Sequence, residues 1–368
     1  MTKPTESTAN QGPRILALGI CSPTNFTKDI QSYFDEFINL VKSNGIEYHA
    51  AQFIKLRSID PAYYITKGKL DELIDYCTKE QIQEIIISEP LKVMQERNLS
   101  KILNCRVFDR TQLILEIFEK GAHSAEGKIQ VALAMLQHKK SRLVGAGISM
   151  SQQQGSIGQR GPGATQKENE LHHIEHLMDK LRRDLKHLAK IRETQRKQRL
   201  SLNIPHACLI GYTNAGKSSI LNALTHSDVL AENKLFATLD TTTRELFIDG
   251  KKKGVISDTV GFIQQLPHNL VEAFKSTLTE LQYAHILLQV IDASDKNWES
   301  HIAVVHAILE ELGIDKPMLY IFNKIDAVTN LPLLEQAIKK YQPHVMISTL
   351  TKEGMEPLIE YLRTWQPQ

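Results

Sequence analysis

The sequence has no apolar run approaching the ~20 residues needed to span a bilayer. The longest, such as "HILLQVIDA" at 285–293, falls far short, so stable membrane insertion is not expected. The opening residues, "MTKPTESTANQ", lack the apolar core of a signal peptide. They read as a frayed tail over residues 1–13 with nothing to direct export. Cysteine is scarce, and Cys21, Cys77, Cys105 and Cys208 have neither metal nor redox spacing. All four are expected as reduced core thiols, which fits the cytoplasm. No repeat of solenoid period is present. Neither sign of charge dominates, with 44 Lys/Arg against 42 Asp/Glu and a net charge of +2. At 42% hydrophobic and 23% charged, the composition is that of an ordinary globular protein, and 368 residues suggest two or three domains.

The overall charge balance hides a local asymmetry. Residues 128–200 hold 15 Lys/Arg against 6 Asp/Glu, leaving 29 against 36 elsewhere. Such a segment is a candidate contact for a polyanion such as RNA through phosphate neutralisation. Charge alone fits a solvated helix equally well.

The first ~120 residues alternate apolar runs with helical patterns, as in a β/α domain with a mainly parallel sheet. The runs "RILALGI" (14–20), "IEYHAA" (46–51), "EIIISE" (84–89) and "CRVFD" (105–109) predict strands. Thr66 is placed to cap a helix carrying Leu70, Leu73 and Ile74, and a second helix follows Asp109 with Leu113, Leu115, Ile117 and Phe118 inward. From Glu126 the pattern changes. Ile129, Leu133 and Leu136 mark one helix, while Leu171, Ile174, Met178, Leu181, Leu185 and Leu188 mark a second with a heptad-like seam. Between them, "VGAGISMSQQQGSIGQRGPGATQ" predicts a long tip loop that continues neither helix. Arg160 and the glycines would let this loop approach a ligand, and the alternative is a flexible linker.

The last 160 or so residues carry the chemistry. "HACLIGYTNAGKSSILNAL" is a strand, a Gly-rich turn and a helix matching G-x-x-x-x-G-K-S at Gly211, Gly216, Lys217 and Ser218. Backbone N–H groups from Thr213 to Lys217 would wrap a phosphate, Lys217 would reach the β- and γ-phosphates, and Ser218 would offer a hydroxyl to Mg2+. Asp258 would hold Mg2+ through water and the Gly261 N–H would sense the γ-phosphate. The hairpin before them turns at Asp249 and Gly250. In "LFATLDTTTRE", Thr238 is the expected second protein ligand of Mg2+, with Thr241, Thr242 and Thr243 as alternatives that sequence does not separate. "MLYIFNKID" places Asn323, Lys324 and Asp326 after a strand. A carboxylate at Asp326 accepts from two donors that guanine presents and adenine does not, so a guanine nucleotide is expected. Lys324 would lie over the base, Asn323 would tie this loop to the Gly-rich turn, and the Ser348, Thr349 and Leu350 backbone would meet the guanine oxygen.

One position departs from this pattern. Ras-type proteins carry a water-orienting glutamine directly after the glycine of the third motif, and "DTVGFIQQ" has Phe262 there. Phe262 does not position water by hydrogen bonding. Gln264 and Gln265 lie nearby, but two or three residues change direction as well as distance. Slow intrinsic turnover and a partner that completes the site are expected, since a partner's arginine can be worth on the order of 10³ to 10⁵ in rate.

At these residues the chain resembles translation-factor-type GTPases, and particularly the HflX family of ribosome-associated GTPases. The likeness lies in "GYTNAGKSSILNALT", "LFATLDTTTR", "DTVGFIQQLPHNLVEAFKSTL", "ILLQVIDAS" and "FNKID". It extends to "YITKGKLDEL", "CRVFDRTQLILEIF", "AEGKIQVALAMLQH" and "GSIGQRGPGATQKE", and so covers nearly the whole chain from about residue 14. The resemblance implies an α/β protein with an N-terminal β/α domain (14–122), an antiparallel basic helical hairpin (123–200) and a P-loop GTPase domain with a mostly parallel sheet (201–368). It implies Mg2+-dependent binding and hydrolysis of GTP to GDP and association with the large ribosomal subunit. It further implies separation or rescue of stalled ribosomes under stress, with the hairpin tip near the peptidyl-transferase centre.

Carried onto this chain, nucleotide contacts fall on Gly211, Tyr212, Thr213, Asn214, Ala215, Gly216, Lys217 and Ser218, and on Phe236, Ala237, Thr238, Leu239 and Asp240. They continue at Asp258, Thr259, Val260 and Gly261, at Asn323, Lys324, Ile325 and Asp326, and at Ser348, Thr349 and Leu350. Lys217, Thr238 and Gly261 are the expected catalytic residues, and Ser218 and Thr238 the metal ligands. Ala164 stands where family loops usually carry glutamate, "SQQQG" replaces a more basic run, and Thr241 stands where proline is common. The chain stops soon after "MEPLIEYLRTW", so an extra C-terminal domain is not expected. A monomer without DNA contacts is expected. Two other readings stay open: a nucleotide-regulated RNA- or protein-binding module with incidental hydrolysis, and a GTPase of ribosome assembly or tRNA modification.

Overall fold

The computed structural model describes residues 12–25, 27, 29–151, 162–201, 204–225, 235–236, 242–265, 280–351 and 353–367. They fall into two compact units, one within Met1–Glu116 and Ser141–Gln159, the other within Ile117–Lys140 and Arg160–Gln368. Among the described residues no helix is long and apolar enough to cross a membrane.

The first unit is built on four parallel strands, β1 (Ile15–Cys21), β2 (Ala50–Lys55), β3 (Glu84–Ile87) and β4 (Arg106–Asp109), in the order β2-β1-β3-β4. Helices α1 (Ile30–Ser43), α2 (Lys67–Lys79) and α3 (Val93–Leu103) make the crossovers. Leu16, Leu18, Ile85 and Ile87 from the sheet share one core with Leu70, Leu73 and Leu99 from the helices. Asp29 caps α1 by accepting from the N–H groups of Gln31 and Ser32. Thr66 does occupy the cap position of α2, but its side chain makes no capping hydrogen bond.

The second strand lies later than "IEYHAA" predicts. The Ile46 N–H closes the end of α1 on the Val41 carbonyl, so pairing with β1 begins only at Ala50, opposite Leu16. Asp109 ends β4 and accepts from the Gln112 N–H, starting α4 (Arg110–Gly121) where the pattern predicts it.

Helices α5 (Ala125–Ser151) and α6 (Pro162–Ser201) run antiparallel, as the ion pairs Glu126–Arg192, Lys139–Glu170 and Lys140–Glu175 require. The tip is shorter than the Gly-rich composition predicts, because residues 144–151 stay in α5 and α6 starts at Pro162. A glycine costs a helix only about 1 kcal/mol, and proline suits the first turn. Residues 152–161, with Arg160, lie outside the described residues.

The second sheet has the order β10-β9-β8-β5-β7-β6, from β5 (His206–Gly211), β6 (Thr242–Ile248), β7 (Lys251–Asp258), β8 (Ile286–Asp292), β9 (Met318–Asn323) and β10 (His344–Met346). Among the described residues of this sheet, only the β6/β7 pair is antiparallel. Its turn at Asp249 and Gly250, with φ of 51° and 74°, is the left-handed hairpin turn that Asp-Gly favours. Strands β5 and β8 are almost wholly buried, between α7 (Lys217–Thr225) with α10 (Glu356–Thr364) and α8 (Trp298–Glu311). Helix α9 (Leu331–Ile338) packs its Leu334 and Ile338 near the β9 end.

Candidate functional site

Most of the predicted residues that the structure describes gather at the carboxyl ends of the parallel strands, where open α/β sheets bind ligands. Strand β5 ends at Gly211 and the chain wraps through Asn214, whose φ is 61°, into α7 at Lys217. Gly216 has φ 99°, and a Cβ there would stand 2.2 Å from the Asn323 amide nitrogen. Only glycine serves, because Asn323 Nδ2 donates to the Ala215 carbonyl at 2.9 Å and binds the β9 loop to this turn. Asn323 Oδ1 and the Thr213 hydroxyl are buried without a protein partner, two polar atoms that a ligand at the turn can satisfy.

Lys217 is buried, and its ammonium donates to the carbonyls of Gly211 at 3.2 Å and Tyr212 at 2.8 Å. Burial pulls its pKa down to about 8, with the negative charge of Asp258 opposing that shift. Between about 8 and the ordinary 10.5, the unfolded chain holds a proton that the folded one has released, so folding stability rises with pH across that window. A polyphosphate beside Lys217 favours the ammonium. Triphosphate affinity is therefore expected to weaken by up to about tenfold per pH unit above about 8, with proton uptake on binding. Calorimetry in two buffers of different ionisation enthalpy checks this, and a flat affinity without uptake would contradict it.

Asp258 ends β7 beside β5 and is fully buried. Ser218 Oγ donates to its Oδ2 at 3.0 Å. A hydroxyl beside a carboxylate at a phosphate-binding turn is an all-oxygen donor set, which suits Mg2+. Thr259 Oγ1 is tied to the Leu209 carbonyl at 2.8 Å, and Val260 is buried. Gly261 then passes against the turn. A Cβ there would lie 2.9 Å from Lys217 Nζ and 2.8 Å from Thr213 Cα.

Phe262 faces away from this chemistry. Its N–H and carbonyl bridge Gly211 and Thr213, and its ring, 2% exposed, belongs to the core formed by Cys208, Ile210, Leu281, Leu287 and Val305. Its place beside Gly261 is therefore structural. The Gln264 N–H donates to Tyr212 Oη at 2.8 Å, while Gln265 is exposed with φ 48°. Phe262→Gln would put an amide into that apolar pocket. It is expected to cost about 3–5 kcal/mol and lower Tm by about 10 °C, with no gain in turnover. Thermal melting with a parallel turnover assay checks it.

At the other end of the site, Lys324 is left-handed at φ 61°, and its ammonium is anchored by Asp292 Oδ2 at 2.6 Å. Ile325 donates its N–H to the Ile347 carbonyl at 3.3 Å. The Asp326 carboxylate is exposed and accepts from Ser348 Oγ at 2.5 Å. The Ser348 N–H goes to the Gly354 carbonyl and the Leu350 N–H to Ser348 Oγ, while the Leu350 side chain is 78% exposed. Thr349 lies between them, half-buried.

Phe236 is described, with φ 59° and its ring edge-on to Phe118 at 4.6 Å. Ala237, Thr238, Leu239, Asp240 and Thr241 lie outside the described residues. Thr242 and Thr243 fall in β6, where Thr243 Oγ1 pairs with Ser257 Oγ at 2.8 Å. Two supports carried no signal in the sequence. His301 stacks on Tyr212 with ring centroids 3.8 Å apart, its pKa lowered by burial, and Asp292 holds Lys324.

Three family models match in chain order: "GTP-binding GTPase N-terminal" over 31–119, "GTP-binding GTPase Middle Region" over 121–199 and "50S ribosome-binding GTPase" over 206–324. The GTPase HflX of Lacrimispora saccharolytica is 42% identical, covering 93% of this chain and 80% of the relative. That of Magnetococcus marinus is 40% identical over 96% and 82%, and that of Escherichia coli 38% over 91% and 79%. Among solved structures, the SsGBP and GDP complex is 26% identical, covers 95% of this chain and 97% of its own, and has a TM-score of 0.52.

Proposed function

The chain belongs to the HflX family of GTPases and is a GTP-hydrolysing enzyme; from that premise we propose that it binds the large ribosomal subunit when loaded with GTP and leaves it after hydrolysis, separating or rescuing stalled ribosomes. The observation that carries this reading is the cationic face of α6. Lys180, Arg182, Arg183, Lys186 and Lys190 are all exposed, and although Asp179 pairs with Arg182 and Asp184 lies among them, cations outnumber carboxylates there, which suits rRNA phosphates. The match of 206–324 to a family described as ribosome-binding supports the same partner. Such a role places a monomeric protein in the cytoplasm.

In this reading the turn from Gly211 to Ser218, with Tyr212, Asn214 and Ala215, cradles the phosphates, and Lys217 exchanges its two carbonyl partners for phosphate oxygens. Ser218 and Thr238 would hold Mg2+, with Asp258 acting through water, and the ion would neutralise charge on the phosphates. Phe236 to Asp240 and Asp258 to Gly261 are the segments that respond to the γ-phosphate, through Thr238 and the Gly261 N–H. Asn323, Lys324, Ile325 and Asp326, with Ser348, Thr349 and Leu350, select guanine. With Phe262 committed to the core, the ribosome supplies the group or the ordering that positions water. Turnover is expected to be slow alone and to rise at least about tenfold with purified large subunits. Equal turnover with and without them would overturn the proposal.

A further inference from the structure

Two cysteines 28 positions apart in the sequence meet in the first unit. Cys77 sits in the last turns of α2, with its carbonyl accepting from the Ile82 N–H at 3.0 Å. Asn104 caps α3 in the left-handed region, φ 49°, and turns the chain so that Cys105 enters just before the edge strand β4. Ser100 Oγ fixes the Cys105 carbonyl at 2.7 Å. Cys77 and Cys105 are only 3% and 7% exposed and lie in one apolar cluster, yet both line a solvent-open cavity of about 770 Å3 with Thr78, Ser100 and Arg106.

We propose that Cys77 and Cys105 form an oxidisable dithiol, a modification site at which a peroxide-class oxidant closes an intramolecular disulfide. Their shared cluster and cavity wall make the two thiols neighbours, and each alters the ionisation of the other. The Cys105 thiol beside it holds Cys77 below the ordinary thiol range, and Cys77, with burial, pushes Cys105 up. In the proposed order Cys77 attacks as the thiolate and Cys105 resolves. The Cys77 thiolate attacks one peroxide oxygen, the O–O bond breaks, and hydroxide leaves and takes up a proton as water. Cys105 then gives up its proton and attacks the sulfenic sulfur. The S–S bond forms, the S–O bond breaks, and a second water departs. Both sulfurs are oxidised and one peroxide is reduced to two waters. Cys208 offers a contrast, because it is sealed in the other unit's core and burial raises it well above the usual range.

The test treats the full chain with hydrogen peroxide, blocks remaining thiols with N-ethylmaleimide, and maps unreduced peptides by mass spectrometry. Expected is a Cys77–Cys105 linked peptide two hydrogens lighter than its parts. Cys77→Ser should abolish the link and leave Cys105 fully alkylated. Cys105→Ser should leave a sulfenic acid at Cys77 that dimedone traps. GTP turnover of each variant serves as the folding control, and should a variant fail it, the wild-type map alone decides. Recovery of both cysteines as alkylated thiols, or linkage to Cys21 or Cys208 instead, would overturn the proposal.

Discussion

Lys217→Ala is expected to slow GTP turnover by on the order of 10² to 10³-fold while leaving the fold intact. The size follows from removing a positioned cation from where charge develops on the transferring phosphoryl group. The retained fold follows from the protonation balance. Burial already pulls the Lys217 ammonium down to about 8, so the buried charge opposes folding, and its loss relieves a desolvation cost. Single-turnover hydrolysis with thermal melting separates the two effects. Turnover within threefold of the parent, or a melting point that collapses, would show that Lys217 serves the fold instead of the phosphates.

Asp326→Asn is expected to weaken GTP binding by about 10² to 10⁴-fold, through the loss of two charge-assisted hydrogen bonds of about 1.5–3 kcal/mol each. The carboxylate is exposed and oriented by Ser348 Oγ at 2.5 Å, so the change leaves the core untouched. An amide offers one acceptor and one donor, which clashes with guanine's two donors but matches xanthine, whose 2-position is an oxygen. Competition with a fluorescent nucleotide should show xanthosine triphosphate gaining where GTP loses. Unchanged GTP affinity would remove Asp326 from base recognition.

Much of this site was legible because its residues come in short contiguous runs. Gly211 to Ser218 and Asn323 to Asp326 each sit on a single strand end, so spacing alone placed them together. The orientation of Phe262 was not legible. Its position beside Gly261 does not say which way the side chain turns, and the backbone bridge to Gly211 and Thr213 accompanies a ring packed into the core. Long-range pairings were equally hidden, as with Asp292 under Lys324 and His301 on Tyr212. In the first unit, β2 starts late because Ile46 is spent closing α1. In the hairpin, composition overstated the tip, since scattered glycines weaken a helix without ending it.

The most direct test of the ribosome-switch account is sedimentation of the purified protein with ribosomes and separated subunits, in GDP, GTP and a non-hydrolysable GTP analogue. Expected is co-sedimentation with the large subunit that is strong with the analogue and weak with GDP. Binding that is equal in all three nucleotide states, or absent from the large subunit in all of them, would contradict it.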